Sequence, residues 1–234
     1  GRVTAFMATV VKTAGIVAMF RIFSVSFTAA HEFWTPTLSV LAALTMVIGN
    51  LSALMQKSIK RMLAYSSVAH AGYLLLAILT HTTESINALL LYMAGYGLAA
   101  LVAFALVHKM KAESGNEHAE SLNGWAKKYP LESFALLISM LSMTGIPGTA
   151  GFAGKYALFS TAFTSYTWLF IVALVLSAIS VAYYFRAIIA MYFRDSDEVS
   201  APVQSPVSVR IALVLCTLLN IGVGVAPLLI TGRI

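Results

Sequence analysis

The sequence predicts an all-α polytopic membrane protein that crosses the bilayer about seven times. Of its 234 residues, 59% are hydrophobic and only 10% are charged, and the mean hydropathy is +0.85. Soluble domains carry about 25% charged residues. A soluble protein of this length could not cover its surface with so few charges, so we expect lipid to surround most of it.

Seven apolar runs reach the length of about 20 residues that a membrane-spanning helix needs. They cover residues 4–27, 36–55, 62–80, 86–108, 131–163, 168–192 and 208–230. We number these runs one to seven, and we expect Pro36 to open the second and Pro130 to open the fifth. Two longer polar loops, 109–130 and 194–207, separate runs four and five and runs six and seven.

The basic residues predict the orientation, because loops on the cytoplasmic side of a membrane are enriched in lysine and arginine. Seven crossings place ten of them on one side: Arg2, Lys57, Lys60, Arg61, Lys109, Lys111, Lys127, Lys128, Arg194 and Arg210. The other side receives Arg21 and Arg233. The net charge of +6 therefore reflects membrane topology and does not indicate a nucleic-acid partner. We expect the N-terminal end on the cytoplasmic or matrix side.

Two further features concern the ends and the single cysteine. The chain opens Gly1-Arg2-Val3 without an initiator methionine or a signal-peptide pattern. We expect it to be the C-terminal part of a longer protein, or a processed chain. Cys216 is the one cysteine, which excludes an internal disulfide and any cysteine-based zinc or iron–sulfur site.

The fifth run is too long for a simple span and carries helix-breaking residues. Its 33 residues would reach about 50 Å as a helix, against a hydrocarbon core of about 30 Å. Its middle reads Gly-Ile-Pro-Gly-Thr-Ala-Gly over residues 145–151. We predict two half-helices joined by an unwound segment. Such segments are tolerated in membranes where protein or internal water satisfies the backbone, and they commonly build the ion sites of transporters.

Two lysines lie inside apolar runs, Lys12 in the first and Lys155 four residues beyond Gly151. A lysine at the bilayer centre costs about 2.5–3.5 kcal/mol on insertion scales. Either lysine could relieve this cost by snorkelling, with the amine at the interface, or could transfer protons inside the protein. We expect the Lys155 amine to lie in the positive field at the N-terminus of the second half-helix.

The third run places Ser66, His70 and Tyr73 on one helix face through i+4 and i+3 spacing. Histidine titrates near neutral pH, so His70 is a candidate proton relay, with the two hydroxyls holding water beside it. The alternative is a packed histidine bonded to a neighbour. Tyr92 and Tyr96 form an i, i+4 pair on the fourth run that we interpret as packing residues.

Two charged residues at the ends of runs allow two interpretations each. Lys60 is expected to anchor the third run as part of the positive-inside pattern, and it could also form the wet mouth of a channel. Glu132 is expected to be a first-turn carboxylate favoured by the helix dipole, and it could also belong to a proton path. The sequence contains no Gly-rich phosphate loop, catalytic triad or metal cluster.

Three segments together resemble the antiporter-like membrane subunits of respiratory complex I. They are Ala-Thr-Val-Val-Lys-Thr-Ala at residues 8–14, the run 56–73 ending in Tyr-Ser-Ser-Val-Ala-His-Ala-Gly-Tyr, and the broken-helix segment 145–155. The residues around His70 and the lysine at the broken helix are most similar to the subunit N branch, whose mitochondrial counterpart is subunit 2. Subunits of multi-component sodium/proton antiporters are related.

The resemblance implies an antiporter-like bundle of fourteen helices, with two inverted five-helix repeats that each contain one broken helix. It assigns residues 1–35 to the last helix of the first repeat. Residues 36–193 become the second repeat, with the broken helix at 131–163, and residues 194–234 a loop and the final span. Lys12 then matches the central lysine, Lys155 the lysine of the second broken helix, and His70 a histidine beside the connecting water chain. The first broken helix of the family would lie upstream of Gly1.

The resemblance also implies a function. The chain would be a proton-translocating membrane-arm subunit of NADH:quinone oxidoreductase, in the bacterial inner membrane beside other antiporter-like subunits. It would bind no cofactor itself, because FMN and iron–sulfur clusters belong to other subunits. The alternatives are a subunit of a multi-component cation/proton antiporter, which would not co-purify with flavin and iron–sulfur subunits, and a structural scaffold. Loss of pumping on neutralising Lys12 or Lys155 would exclude the scaffold.

Overall fold

The computed structural model describes residues 6–195 and 205–226, which are almost entirely helical. The main helices are α1 Lys12–Val25, α2 His31–Leu54, α3 Ile59–Thr80, α4 Thr83–Ser114, α5 Pro130–Thr144, α6 Ala150–Ala162, α7 Thr167–Phe193 and α8 Val207–Val225. A π-helical turn, Met7–Val11, precedes α1. Short one-turn helices occupy Thr28–Ala30, Ala119–Leu122 and Trp125–Lys128.

The predicted spans are confirmed as an all-α membrane architecture. Among the described residues, six helical stretches are long and apolar enough to cross a membrane. The remaining predicted span is the fifth run, which is divided between α5 and α6. The ends of the first and last runs, most of the 194–207 loop, Arg2 and Arg233 lie outside the described residues.

Two predicted boundaries were wrong. Pro36 does not open the second helix, because α2 begins at His31 and carries the proline in its second turn. The fourth helix does not end at residue 108 but continues to Ser114. Lys109 and Lys111 therefore extend a helix beyond its apolar part, since lysine is a good helix former wherever water can reach it. At 1.5 Å per residue, the 32 residues of α4 reach about 48 Å.

The break in the fifth run is confirmed. Residues 145–149 leave the helical path between α5 and α6, and Gly145 and Gly148 have φ of 91° and 87°. Only glycine adopts such angles readily. The Thr149 hydroxyl caps α6 by accepting from the Phe152 amide. The Gly151 amide donates to the Ser142 hydroxyl at 3.0 Å, so the two halves remain bonded across the break.

Helix α3 is the centre of the bundle. In its most apolar 18-residue stretch 78% of the residues are buried, against 17% for the stretch that includes α1. It packs against α1, α2, α4, α6 and α7. The polar side chains of Ser66, Ser67, His70 and Tyr73 in α3 are therefore surrounded by protein, whereas α1 presents most of its surface outward.

The loops rich in basic residues lie together at one end of the bundle, which we call the basic end. The Ile59 amide donates to the Glu117 carbonyl at 2.8 Å, and the Gly124 amide donates to the Arg194 carbonyl at 2.8 Å. Lys109 donates to Ser205 at 2.9 Å. These bonds connect the loops 56–61, 109–130 and 194–207, which confirms their predicted common end; which side of the membrane it faces stays a prediction.

Candidate functional site: a polar axis inside the bundle

Lys12 lies at the edge of the bundle and turns its amine inward. Its Nζ donates to the Ser67 carbonyl at 2.5 Å and to the Tyr96 hydroxyl at 3.2 Å. The same amine lies 4.3 Å from the centre of the Tyr96 ring, within the range of a cation–π interaction. Both contacts attach α1 to the central helices α3 and α4. The Lys12 amine therefore contacts protein groups within the bundle. The alternative interpretation, in which it snorkels to the membrane interface, does not match these contacts.

His70 occupies the middle of α3 and is 3% exposed. Its Nδ1 lies 2.5 Å from the Tyr92 hydroxyl, and its Nε2 lies 3.1 Å from the Tyr184 hydroxyl. Tyr184 in turn donates to Ser66 at 2.9 Å, and Ser66 donates to the Leu63 carbonyl at 3.1 Å. Both ring nitrogens are thus bonded to tyrosines from other helices.

This chain of bonds assigns the histidine tautomer. A hydroxyl has one proton to donate, and those of Ser66 and Tyr184 are directed to Leu63 and Ser66 respectively. Tyr184 must therefore accept from His70, which places the imidazole proton on Nε2. The Nδ1 atom then accepts from the Tyr92 hydroxyl. The neutral ring has every donor and acceptor used, and a second proton could enter at Nδ1 only if Tyr92 turned its own proton away.

Lys155 lies on α6, 5% exposed, and reaches back across the break. Its amine donates to the Thr144 carbonyl and to the Ser177 hydroxyl, both at 2.8 Å. Thr144 is the last residue of α5, so the direct partner is the negative, carbonyl end of the first half-helix. We expected the amine in the positive field at the start of α6. Because helical side chains lean toward the N-terminus of their helix, the Lys155 side chain reaches back toward that start, and its amine also meets the carbonyl end of α5.

Aromatic rings occupy the space between the three ionisable residues. The His70 ring lies 4.6 Å from the Tyr96 ring and 5.8 Å from the Tyr73 ring, centre to centre. The Tyr73 ring centre is 5.4 Å from the Lys155 amine. A path through the bundle therefore passes in order Lys12, Tyr96, His70, Tyr73 and Lys155, and we call these five residues the polar axis. Tyr73 also accepts from Asn50 at 3.1 Å.

The other two predicted site residues lie at the basic end, away from these contacts. Lys60 pairs with Glu117 at 3.3 Å, and Glu117 also pairs with Lys111 at 2.7 Å. The hydrogen bond from Lys111 holds the pKa of Glu117 below its usual value. Glu132 lies in the first turn of α5, as predicted, and pairs with Lys109 at 3.1 Å. The structure therefore brings neither residue into contact with the polar axis.

Several residues of the polar axis, or bonded to it, were not predicted as site residues. Tyr92 and Tyr96 pack, as expected, but their hydroxyls also bond to His70 and Lys12. Tyr184 and Ser177 come from α7, more than 100 and about 20 positions away from their partners. The i, i+4 spacing of the two α4 tyrosines was the one available signal, because it placed both hydroxyls on the same helix face.

Two cavities lie beside the break. One of about 360 Å³ is lined by Gly145, Lys155, Ser177 and aromatic residues. A second of about 500 Å³, at the end opposite the basic loops, is lined by Glu84, Asn87 and several threonines. Both share Phe152, Tyr156 and Ser160 of α6 as walls. In the described part of the chain, no three histidine, cysteine or acidic residues lie close enough to hold a metal ion.

Comparison with known proteins gives a consistent family. Residues 2–180 match the family model for NADH:quinone oxidoreductase/Mrp antiporter membrane proteins. The chain is 38% identical over 225 residues to NADH-quinone oxidoreductase subunit N of Desulforamulus reducens, covering 96% of this chain and 47% of that protein. It is 40% identical over 229 residues to subunit N of Trichlorobacter lovleyi, covering 97% and 47%. The chain spans about half the length of the curated relatives it matches.

Solved structures agree. A chain of respiratory complex I from Thermus thermophilus with bound Aureothin superposes with a TM-score of 0.75 at 39% identity, covering 84% of this chain and 45% of that one. A chain of the archaeal membrane-bound sulfane sulfur reductase superposes at 0.83 with 29% identity, covering 98% and 47%. An Mrp complex from Dietzia, at 0.84 and 19% identity over 94% and 49%, shares the fold.

Proposed function

Because the chain belongs to the NADH:quinone oxidoreductase/Mrp antiporter membrane family, we propose that it translocates protons as a membrane-arm subunit of a respiratory NADH:quinone oxidoreductase. In this role it assembles with neighbouring antiporter-like subunits in a bacterial inner membrane, with the basic end toward the cytoplasm. Redox chemistry takes place on other subunits, which carry the flavin and iron–sulfur clusters. This chain holds and moves protons.

One observation carries the proposal: two lysines and a histidine hold their titratable groups inside the bundle on neutral partners. Lys12 and Lys155 are bonded to carbonyl and hydroxyl oxygens. Within the described residues, no carboxylate lies within 4.0 Å of either amine. An amine on neutral partners can release its proton without leaving a bare carboxylate buried beside it. That property suits a group that must be charged at one stage and neutral at another.

The bonds suggest how protons move along the axis. The Lys12 ammonium donates to Tyr96, and water bridges the Tyr96 hydroxyl to the His70 region, since hydrogen-bonded water can connect groups that do not touch. His70 accepts a proton at Nδ1 as Tyr92 turns its hydroxyl away, and Nε2 releases one to Tyr184, whose own proton turns from Ser66 to water beside Tyr73. Water beside Tyr73 connects the histidine to Lys155. The cavity next to Lys155 offers its amine a route away from the axis.

The direct test removes the amine of Lys155. In the purified complex, reconstituted in vesicles, Lys155→Ala should lower proton pumping more than it lowers assembly. Loss of a proton-transfer group typically slows the step it serves by about 100-fold or more. Lys57→Ala is the matched control, because Lys57 is an exposed lysine at the basic end, and it should pump normally. A Lys155→Ala complex that pumps at the control rate would contradict the proposal.

The family name itself supports a second candidate, a subunit of a multi-component cation/proton antiporter. Its polar axis would then exchange protons for a cation without any redox partner. The composition of the purified complex distinguishes the two functions. Co-purification with flavin and iron–sulfur subunits supports the oxidoreductase, and their absence together with cation-dependent proton uptake supports the antiporter.

A further inference from the structure

The last helix, α8, has no residue in the polar axis, yet it packs against α4, α5 and α6 where the fifth span is broken. Its approach to the break is unusually close. A Cβ atom added to Gly224 would lie 2.2 Å from the carbonyl carbon of Thr149 and 2.4 Å from its Cα. Both are backbone atoms, so no rotation of a side chain could relieve the overlap. The contact between α8 and the break therefore depends on glycine at position 224.

Helix α4 approaches the same point from another side. A Cβ on Gly95 would lie 2.8 Å from the carbonyl carbon of Ala150, and a Cβ on Gly154 would lie 2.5 Å from the Cα of Tyr92. Thr149 and Ala150 are the cap and the first residue of α6. The start of α6 is thus held between two helices by contacts of backbone on backbone.

Asn220 joins those two helices beside the break. It lies one helical turn before Gly224 and is 2% exposed. Its Nδ2 donates to the carbonyl of Gly95 at 3.3 Å. A buried polar group is costly unless it is bonded. The Asn220 Oδ1 atom has no partner in the described part of the chain, so it is the Nδ2 bond that favours this position of α8 against α4. Glycine and asparagine together fix where α8 meets the break.

The position of the Lys155 amine depends on the start of α6. Lys155 lies six residues after Thr149, and its amine reaches two oxygens at 2.8 Å each. Its chain passes so close to Gly145 that a Cβ there would lie 2.9 Å from Lys155 Cδ. On the side of Gly145 the Lys155 chain has little free space, so a displacement of α6 by about 1 Å away from its two partners would lengthen both bonds beyond hydrogen-bond range.

We propose that Gly224 and Asn220 are positioning residues through which α8 fixes the start of α6 and so sets the place of the Lys155 amine. This inference rests on the proposed function, in which Lys155 transfers protons. Neither residue touches the reacting groups. Their effect is transmitted through the backbone of residues 149–155.

The test compares two glycines on the same helix. A Cβ on Gly222 meets no atom within 4 Å, so Gly222→Ala adds the same methyl group to α8 without an overlap. The complexes carrying Gly224→Ala, Gly222→Ala, Asn220→Ala and Lys155→Ala are purified, reconstituted and assayed for assembly, electron transfer and protons pumped per NADH oxidised. We expect Gly224→Ala to pump about twofold less than Gly222→Ala or worse, since misplacement by 1 Å can cost up to about 100-fold.

The pH profile of pumping and the Asn220→Ala variant distinguish positioning from loss of packing. The pH profile of pumping by Gly224→Ala should shift relative to that of Gly222→Ala, whereas fewer assembled complexes would lower pumping equally at every pH. If the Gly224→Ala complex does not assemble, the Asn220→Ala complex provides the test. This substitution removes the amide without adding bulk, and it should shift the pH profile of pumping in the direction expected for Gly224→Ala.

The possible outcomes test the positioning role of Gly224 and Asn220 separately from the proposed function on which it rests. If Lys155→Ala loses pumping while Gly224→Ala and Asn220→Ala behave like Gly222→Ala, the positioning role is wrong and the proposed function stands. If Lys155→Ala pumps normally, the proposed function itself is wrong, whatever the glycine variants do.

Discussion

The lysines at the basic end and those inside the bundle have opposite kinds of partner. At the basic end, Lys60, Lys109 and Lys111 pair with carboxylates at 2.7–3.3 Å. Inside, the partners of Lys12 and Lys155 among residues 6–195 and 205–226 are carbonyl, hydroxyl and ring groups. A carboxylate holds a lysine in its charged form and so serves anchoring. Neutral oxygens accept hydrogen bonds from either form, which leaves the amine able to change its charge.

The largest effect on proton pumping should come from giving Lys155 a carboxylate partner, as the lysines at the basic end have. Ser177→Asp places a carboxylate where the hydroxyl now lies 2.8 Å from the Lys155 amine. Breaking a buried ion pair costs about 3–5 kcal/mol, so release of the Lys155 proton should slow by 100-fold or more, about tenfold for each 1.36 kcal/mol. Proton pumping by the reconstituted complex should be lost while assembly is kept.

Ser180→Ala provides the control for this variant, because the Ser180 hydroxyl donates to the Ser177 carbonyl and not to Lys155. Ser177→Ala is the intermediate case, which removes one neutral acceptor and should lower pumping less than Ser177→Asp. Equal pumping by Ser177→Asp and Ser177→Ala would show that the charge of the partner does not matter, and the comparison would fail.

A smaller effect is expected from removing a neutral hydroxyl that is bonded to the polar axis. Tyr92→Phe keeps the ring but removes the group that donates to His70 Nδ1 at 2.5 Å. A hydrogen bond contributes about 1 kcal/mol, which corresponds to about a fivefold change in rate. Pumping should fall by about this factor, while Tyr65→Phe, on an exposed tyrosine of α3, should leave it unchanged. Normal pumping by Tyr92→Phe would return Tyr92 to a packing role.

The smallest effect belongs to the basic end. Glu117→Gln removes the partner of Lys60 and Lys111, yet exposed ion pairs contribute only about 0–1 kcal/mol. Thermal stability should fall by a few degrees at most, and pumping should not change. Glu120→Gln, at an exposed carboxylate of the same loop, is the control. A large pumping defect in Glu117→Gln alone would place the basic end in the proton path.

The pH dependence of that stability difference follows from the lowered pKa of Glu117. A carboxyl group whose folded pKa is depressed stabilises the fold above its unfolded value of about 4.3, and the stabilisation is lost as the pH falls through the folded pKa. The wild-type and Glu117→Gln complexes should therefore differ in melting temperature at pH 7. They should converge once the pH falls below the lowered folded pKa of Glu117, as thermal unfolding at a series of pH values would show.

Much of the fold was predictable because the membrane imposes simple requirements. Hydropathy located the spans, and the excess length and glycines of residues 131–163 predicted the break. The depth of Lys12 and Lys155 marked them as functional candidates, because charge in hydrocarbon is costly. The assignment of residues 36–193 to one inverted repeat stays a prediction.

The partners of the site were not predictable, for a physical reason. A tyrosine serves equally well as packing and as a hydrogen-bond donor, so its sequence position does not say which it does. Tyr184 meets His70 across 114 positions, and that meeting depends on how α7 packs against α3. The extension of α4 to Ser114 was missed because hydropathy detects the apolar part of a helix, not its end.

The π-helical turn Met7–Val11 has a consequence for the alignment of this chain with shorter or longer versions of the same segment. A π turn accommodates one residue more than an α turn does, so it acts as a one-residue insertion that the helix absorbs locally. A version one residue shorter could therefore form a plain α-helix here and keep the same phase on both sides of the turn. If residues 7–11 became α-helical with no residue removed, Phe6 would instead rotate by about 100° relative to Lys12. The π turn thus allows Ala8 and Thr9 to be buried while Lys12 faces Ser67.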